Sequence, residues 1–435
     1  MKALKLYCAA LGFLIFSRAY SDQLNSVDAV WSQQVVAHIG VNIHLSFYNT
    51  PYKKFEEIVV PGLNDLGIKF VRDVFPKNNI FNKLYVQRLA KLCDKGYKLS
   101  LVVFDETNPN YSIDFDTADK FINSLNGCVG ILEGVNEPNL KPIKNWALIT
   151  KVSQGKLYSF IKNKELDVAK PIVAGPSLWG DSAQAIGNIS SIVDLGNWHT
   201  YSGGRNPEST EDKDGSIYSY IKQAGLIYGP KKILITEDGY HSGMDVPKNK
   251  HRPTPNDIIA IYLPRLVLLH QELGIYQTYI YELIDTKNNG LIDPESNFGL
   301  IDYQGRKKPQ FYSIKNLIDI FSDETGGKCA ENSAFSIFFK SVANIKVQLF
   351  CKSKNRWLVT FWQPLPSWDP ESREYIPVSP QKIEFGFPNS ADRKIDVFEI
   401  RKDGALHKKE KYLDHSGNLI IEAKDTLSII EINIP

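Results

Sequence analysis

Between Gly40 and Tyr281 the chain repeats one pattern, a short apolar run followed by a longer stretch with helical spacing. The runs are Gly40–Leu45, Lys69–Arg72, Leu99–Phe104, Val129–Asn136, Pro171–Gly175, Val193–His199, Ile233–Thr236 and Gln277–Tyr281. They are continuous rather than alternating, as in parallel strands buried on both faces. Between them, apolar residues return near every third or fourth position. Examples are Phe81, Leu84, Leu89 and Leu92, and further on Ile258, Ile261, Leu263, Leu266 and Leu269. Phe121, Ile122 and Leu125 follow the capping chemistry of Asp116–Asp119. Strand-then-helix units recurring in this way predict an α/β fold, a (β/α)8 barrel over residues 22–325. From about Glu331 the period changes. Phe335–Phe339, Ile345–Phe350, Arg356–Phe361, Ile395–Phe398 and Ser428–Ile432 read as short strands with no convincing helix between them. They predict an antiparallel β-sandwich over 326–435.

Two strand tips carry a carboxylate in a distinctive string. Gly134-Val135-Asn136-Glu137-Pro138 closes the fourth run and Ile235-Thr236-Glu237-Asp238-Gly239 the seventh. In a parallel barrel the C-terminal strand tips ring a single site. Two carboxylates facing one pocket are suited to breaking a glycosidic bond. Arg72 ends the second strand, His199 and Tyr201 the sixth, and Glu282 and Asp285 follow the eighth. Phe47, Tyr48, Trp179, Tyr240 and Tyr281 are placed to stack on sugar faces, Trp179 first among them. Each residue also has a plainer reading. The two glutamates could be surface groups at loop starts, and Asp238 could replace Glu237 as the working acid. Arg72 could be a structural ion pair with Glu133, His199 a satisfied histidine that touches no sugar, and His44 structural.

On these residues the chain resembles clan A of the glycoside hydrolases, the retaining (β/α)8-barrel enzymes, from about Gly40 to Leu317. The resemblance rests on Asn136-Glu137-Pro138, on Thr236-Glu237-x-Gly239, and on Arg72, His199 and Tyr201. Asn297–Leu300 followed by Gly305–Pro309 resembles the approach to the last barrel helix, and the sandwich is similar to those of xylosidase-like families. It implies that Glu137 is the general acid/base and Glu237 the nucleophile, with Arg72 and the Tyr201 hydroxyl holding Glu237. Asn136 would bond the sugar 2-hydroxyl. The implied partner is an oligo- or polysaccharide with β linkages. One departure stands out: many members end strand eight with a tryptophan, and here Tyr279–Asp285 contains none. Glu282 and Asp285 instead offer acidic groups for sugar hydroxyls or a cation. A non-catalytic sugar-binding barrel and a transglycosylase are the alternatives that use the same residues.

The ends and the charge add context. A basic start at Lys2 and Lys5, an apolar Leu6–Phe16 and small residues at Ala19 and Ser21 read as a secretory signal peptide over 1–21. The apolar stretch is shorter than the roughly 20 residues a membrane span needs. Cys8 lies inside it, which disfavours a lipoprotein, and no second long apolar segment predicts membrane insertion. A secreted or periplasmic protein is expected. Loss of Lys2, Lys5 and Arg18 takes the formal charge from +2 to −1, a balance that suggests no nucleic-acid partner. The basic groups His407, Lys408, Lys409 and Lys411, and likewise Lys248, Lys250, His251 and Arg252, read as solvated loops. Cys93, Cys128, Cys329 and Cys351 remain, and an even number in an exported chain predicts the bonds Cys93–Cys128 and Cys329–Cys351. Free buried thiols are the alternative. No cysteine or histidine cluster has metal-ligand spacing, and no cofactor is called for. Asn206–Gly215 and Met244–Asn256 are expected to wall the cleft.

Overall fold

The computed structural model describes residues 20–25, 29–75, 83–104, 115–210, 216–248, 251–323, 336–353, 355–388 and 390–433. Parallel strands Ile39–Asn42, Phe70–Val74, Lys98–Phe104, Val129–Val135, Ile172–Ala174, Gly196–His199, Ile233–Asp238 and Gln277–Ile280 form one sheet. Each strand pairs with its predecessor except the sixth, and the eighth pairs with the first. The fifth and sixth meet through the parallel bridge Ala174–Leu195, which closes the barrel. All eight apolar runs are therefore strands, numbered here from first to eighth.

Helices Val60–Leu66, Lys83–Asp94, Phe115–Ser124 and Trp146–Asn163 follow the first four strands. Ile217–Tyr228, Asn256–Glu272 and Pro309–Phe321 follow the last three. The fifth strand departs from the predicted unit, because its crossover consists of the 3-10 turns Asp181–Ile186 and Ser190–Ile192. Gly180 and Gly187 bracket the first of these turns at φ +66° and +68°, a conformation that ends a helix on either side. Asn256–Glu272 is buried around its whole circumference from Ile258 to His270, with the sandwich against it.

The sandwich has a four-stranded sheet of Tyr20–Asn25, Ser336–Ser341, Gln381–Gly386 and Asn418–Ala423. It packs on a six-stranded sheet of Leu406–Tyr412, Lys394–Ile400, Ser428–Asn433, Arg356–Trp362, Lys346–Ser353 and Val30–Trp31. Ile337, Phe361, Phe385 and Ile430 fill the space between them. Two strands thus come from ahead of the barrel. A chain beginning at Asp22 would retain Asp22–Asn25 of the first. The basic run at 407–411 is an edge strand rather than a solvated loop, and lysines along an unpaired edge discourage further pairing.

A disulfide joins Cys93, in the helix Lys83–Asp94, to Cys128, just before the fourth strand. Cys329 lies outside the described residues. Among the described residues, no helix is long and apolar enough to cross a membrane.

Candidate active site

Arg72 organises the floor of the barrel mouth. It is buried on the second strand, where its Nε donates to both oxygens of Glu133 at 3.0 Å. Its Nη1 reaches Asn42 Oδ1 at 2.8 Å and Glu237 Oε1 at 2.6 Å, and its Nη2 reaches Asn136 Oδ1 at 2.8 Å. Both sequence readings of Arg72 are therefore realised at once, the structural pair with Glu133 and the contact to Glu237. A guanidinium fork can serve several acceptors in fixed directions, which an ammonium cannot. The Tyr201 hydroxyl donates to the other Glu237 oxygen at 2.8 Å. Burial penalises a charge on Glu237, but the charges of His199 and Arg72 and the hydrogen bonds from Tyr201 and Arg72 outweigh it. The carboxyl is held below its ordinary range.

Glu137 is held differently. It follows the fourth strand at φ +45°, a left-handed conformation that is costly for a non-glycine residue and recurs at functional sites. Its amide donates to Ser177 O at 2.9 Å, fixing it beside the fifth strand. Glu137 Oε1 lies 2.8 Å from His199 Nδ1, and Glu237 Oε2 lies 3.5 Å from the same nitrogen. The second ring nitrogen of His199 is 3.1 Å from Thr236 Oγ1, whose own proton goes to Asn197 Oδ1 at 2.9 Å. Asn197 is oriented by its Nδ2, which donates to Glu133 and to Gly175 O. Thr236 must then accept, so Nε2 of His199 carries a hydrogen. His199 Nδ1 is the ring nitrogen left to face Glu137. One oxygen of each glutamate and the His199 nitrogen all lie within 4.8 Å of one another. These are the atoms a cation would use, but the Glu237 oxygen facing His199, Oε2, already accepts from Tyr201, and Oε1 from Arg72.

These groups open into a cavity of about 890 Å³ lined by Asn136, Glu137, Trp179, Tyr201, Glu237 and Tyr281, among others. Asn136 Oδ1 accepts from both Arg72 and the Ser177 hydroxyl, so its amide nitrogen is the group left to donate. Tyr201, Tyr281 and Phe298 meet edge to face, with ring centres 5.3–6.3 Å apart. This aromatic cluster stands where a tryptophan was missing from strand eight.

Several expected positions differ. Glu282 is fully buried and does not line the cavity; it lies 2.9 Å from His44 Nε2, poorly aligned for a hydrogen bond. Burial, with Glu295 and Asp285 nearby, pushes its carboxyl well above the ordinary range, and burial pushes His44 down. This pair is a structural one. Asp285 is likewise taken up by Lys308 at 2.8 Å and the Gly299 amide at 2.6 Å. Phe47 stacks on His44 and, like Tyr48, does not line the cavity. His251 and Arg252, expected in a solvated loop, do line it. Of the two expected walls, Met244–Asn256 contributes these residues. In the other, Gly203 and Gly204 line the cavity just ahead of Asn206, and residues 211–215 lie outside the described set.

Sequence reasoning missed the supporting parts of Asn42, of Ser100, whose hydroxyl donates to Glu133 at 2.6 Å, of Asn197 and Thr236, and of Glu295. The first four are polar residues inside buried strands, and that anomaly was the available signal. Glu295 comes from the loop after the eighth strand, lines the cavity and accepts from the Tyr281 hydroxyl at 3.0 Å.

No family model and no curated protein sequence matches the chain. Solved structures do. A family 39 glycoside hydrolase from Bacteroides cellulosilyticus WH2 superposes with TM-score 0.58 at 13% identity, covering 93% of this chain and 82% of the other. A glucosidase from Croceicoccus marinus gives TM-score 0.54 at 10% identity, with 87% and 92% covered. A GH30 endoxylanase from Clostridium papyrosolvens C71 gives 0.51 at 11% identity, with 93% and 97% covered. In fold, barrel and sandwich together, the chain is similar to the clan of glycoside hydrolases that its motifs resemble.

Proposed function

We propose that the protein is a retaining glycoside hydrolase acting on a β-linked oligo- or polysaccharide. Glu237 would be its nucleophile and Glu137 its general acid/base. The observation that carries this is the unequal treatment of two adjacent glutamates. Glu237 is held as an anion by Arg72 and Tyr201, while the Glu137 carboxyl meets the His199 ring instead of a guanidinium. Their nearest oxygens lie within 4.8 Å. That suits a pair working by double displacement, about 5–5.5 Å apart, better than the roughly 6.5–9.5 Å that admits a water in inverting enzymes.

In the first step the leaving oxygen takes the Glu137 proton as Glu237 bonds to the anomeric carbon. In the second, Glu137 removes a proton from the incoming water, which displaces Glu237 and restores both groups. The Asn136 amide is free to donate to the sugar 2-hydroxyl. The likeness to a glucosidase and an endoxylanase, among others, supports a glycan substrate of this kind. The N-terminal segment supports export of the enzyme.

Azide separates the two roles. Glu237→Ala is expected to abolish the first step, and azide in its place should yield the α-glycosyl azide. Glu137→Ala should still form the intermediate from activated aryl glycosides, which need little proton assistance, and azide should then give the β-product. Exchanged products would mean that the roles are reversed, and full activity in either variant would sink the mechanism.

A further inference from the structure

The sandwich reaches the rim of the cleft through a hairpin that joins neither of its sheets, Trp368–Asp369 paired with Glu374–Tyr375. The buried Trp368 donates its indole N–H to Pro253 O at 2.9 Å. Arg373 directs its guanidinium into the backbone of the loop after the seventh strand, donating to the carbonyls of Met244 and Val246. The Tyr375 hydroxyl donates to Asp257 at 3.0 Å. At the tip, Glu371 accepts from Arg252 Nε at 2.7 Å and from Arg205 at 3.4 Å. Pro370 presses on Gly204, where an added Cβ would come within 2.9 Å of it.

The two loops gripped in this way supply Gly203, Gly204, Tyr240, His251 and Arg252 to the cavity lining, and no hairpin residue lines it. The hairpin is stiff in its own right. The Asp369 side chain accepts from the Glu371 amide at 2.9 Å and the Ser372 hydroxyl at 2.8 Å. Arg373 sits at φ +63°, which a non-glycine residue holds only where its surroundings fix it.

We infer that this hairpin is a positioning device for the cleft wall. It holds His251 and Arg252 where a sugar chain extends past the cleavage point, and so favours extended chains over single glycosides. The inference rests on the glycosidase reading and deepens it. The cavity is larger than one sugar ring needs, and the braced wall belongs to neither catalytic glutamate nor their direct partners. Fixing a binding loop in advance lowers the ordering cost of the ligand that uses it.

The test combines hydrogen–deuterium exchange with kinetics on a p-nitrophenyl β-glycoside and on short oligosaccharides of the same sugar. In Arg373→Ala, amides of 241–256 are expected to exchange about tenfold faster. The specificity constant for the oligosaccharide should fall about fivefold more than that for the aryl glycoside, mainly through KM. Arg373→Lys, which keeps a donor, should recover part of both effects. Glu371→Gln, at an exposed position, should act in the same direction at smaller size, and it serves if Arg373→Ala does not fold. Unchanged exchange overturns the brace whatever the kinetics show. Faster exchange with both substrates slowed equally overturns the positioning role. If the wild-type protein cleaves no glycoside, the glycosidase reading falls while exchange still decides the brace.

Discussion

Arg72 bonds Glu133, Asn42, Asn136 and Glu237 through a single guanidinium, and its own charge is stabilised by the two glutamates. Lysine keeps the charge but has neither the fork nor the planar reach. Arg72→Lys is therefore expected to lower kcat on aryl glycosides by about a hundredfold, because Glu237 loses its fixed orientation. It should also destabilise the fold by about 1–3 kcal/mol, because the buried Glu133 keeps a charged partner but loses the directed hydrogen bonds of the fork. A variant that melts and turns over like the parent would show that Glu237 is placed by Tyr201 and His199 alone. Glu137 and Glu237 could be placed at the barrel mouth because motif and strand tip coincide at each; Arg72, expected at the end of the second strand, lies within it, and Tyr201 lies just past the sixth. Glu282 was misread because Tyr281 and Glu282 both pass the end of strand eight, where alternation no longer says which side chain faces the mouth. The tyrosine lines the cavity and the glutamate is buried beside His44. Asn197 carries no motif, and Thr236 was read only as part of the string around Glu237. Their part in fixing His199 appears only when the sixth and seventh strands stand side by side.

Among elements, the barrel strands could be read because burial on both faces leaves a continuous apolar run. The sandwich strands that escaped reading lack such a run. Leu406–Tyr412 is an edge strand with charge on both faces, and Gln381–Gly386 and Asn418–Ala423 bury only alternate residues. The missing fifth helix also follows from composition, since its crossover is broken by glycines at positive φ. The Cys93–Cys128 bond acts at this scale. It ties the second crossover helix to the entry of the fourth strand across a separation of 35 residues, with the whole third strand between them. Closing a loop of that size in the unfolded chain stabilises the fold by roughly 2–4 kcal/mol. Cys93→Ser with Cys128→Ser should lower the unfolding free energy by that amount and leave kcat within about twofold, because neither residue approaches the site. Non-reducing peptide mapping of the protein is expected to recover the linked peptides. Two free thiols would remove the bond and weaken the argument for export.

At the scale of the whole molecule, barrel and sandwich share one core. Phe350, Leu358, Trp362 and Ile429 of the sandwich belong to the same apolar cluster as the barrel helices, and Phe321 meets Phe350 with ring centres 5.0 Å apart. A buried polar joint reinforces the seam. Glu208, beyond the sixth strand, accepts from Arg265 Nε at 3.0 Å and from the Trp362 indole at 2.7 Å. Arg265 in turn donates to the carbonyl of Asp425 at 3.2 Å. Burial opposes the charge on Glu208, but Arg265 and the hydrogen bonds outweigh it, and the carboxyl lies below its ordinary range. The described part of the segment predicted as a cleft wall, 206–210, does not line the cavity and instead pins the two domains together. Glu208→Ala leaves the Arg265 charge buried and unpaired, which should cost about 3–5 kcal/mol. Because the joint belongs to both domains, the whole melting curve should move as one transition. Deletion from residue 326 should likewise give an insoluble or poorly folded barrel, since the outer face of Asn256–Glu272 would be exposed to water. Calorimetry resolving two transitions, with Glu208→Ala shifting only one of them, would show that the domains fold independently. The hairpin's hold on the cleft would then have to survive loosening at this seam.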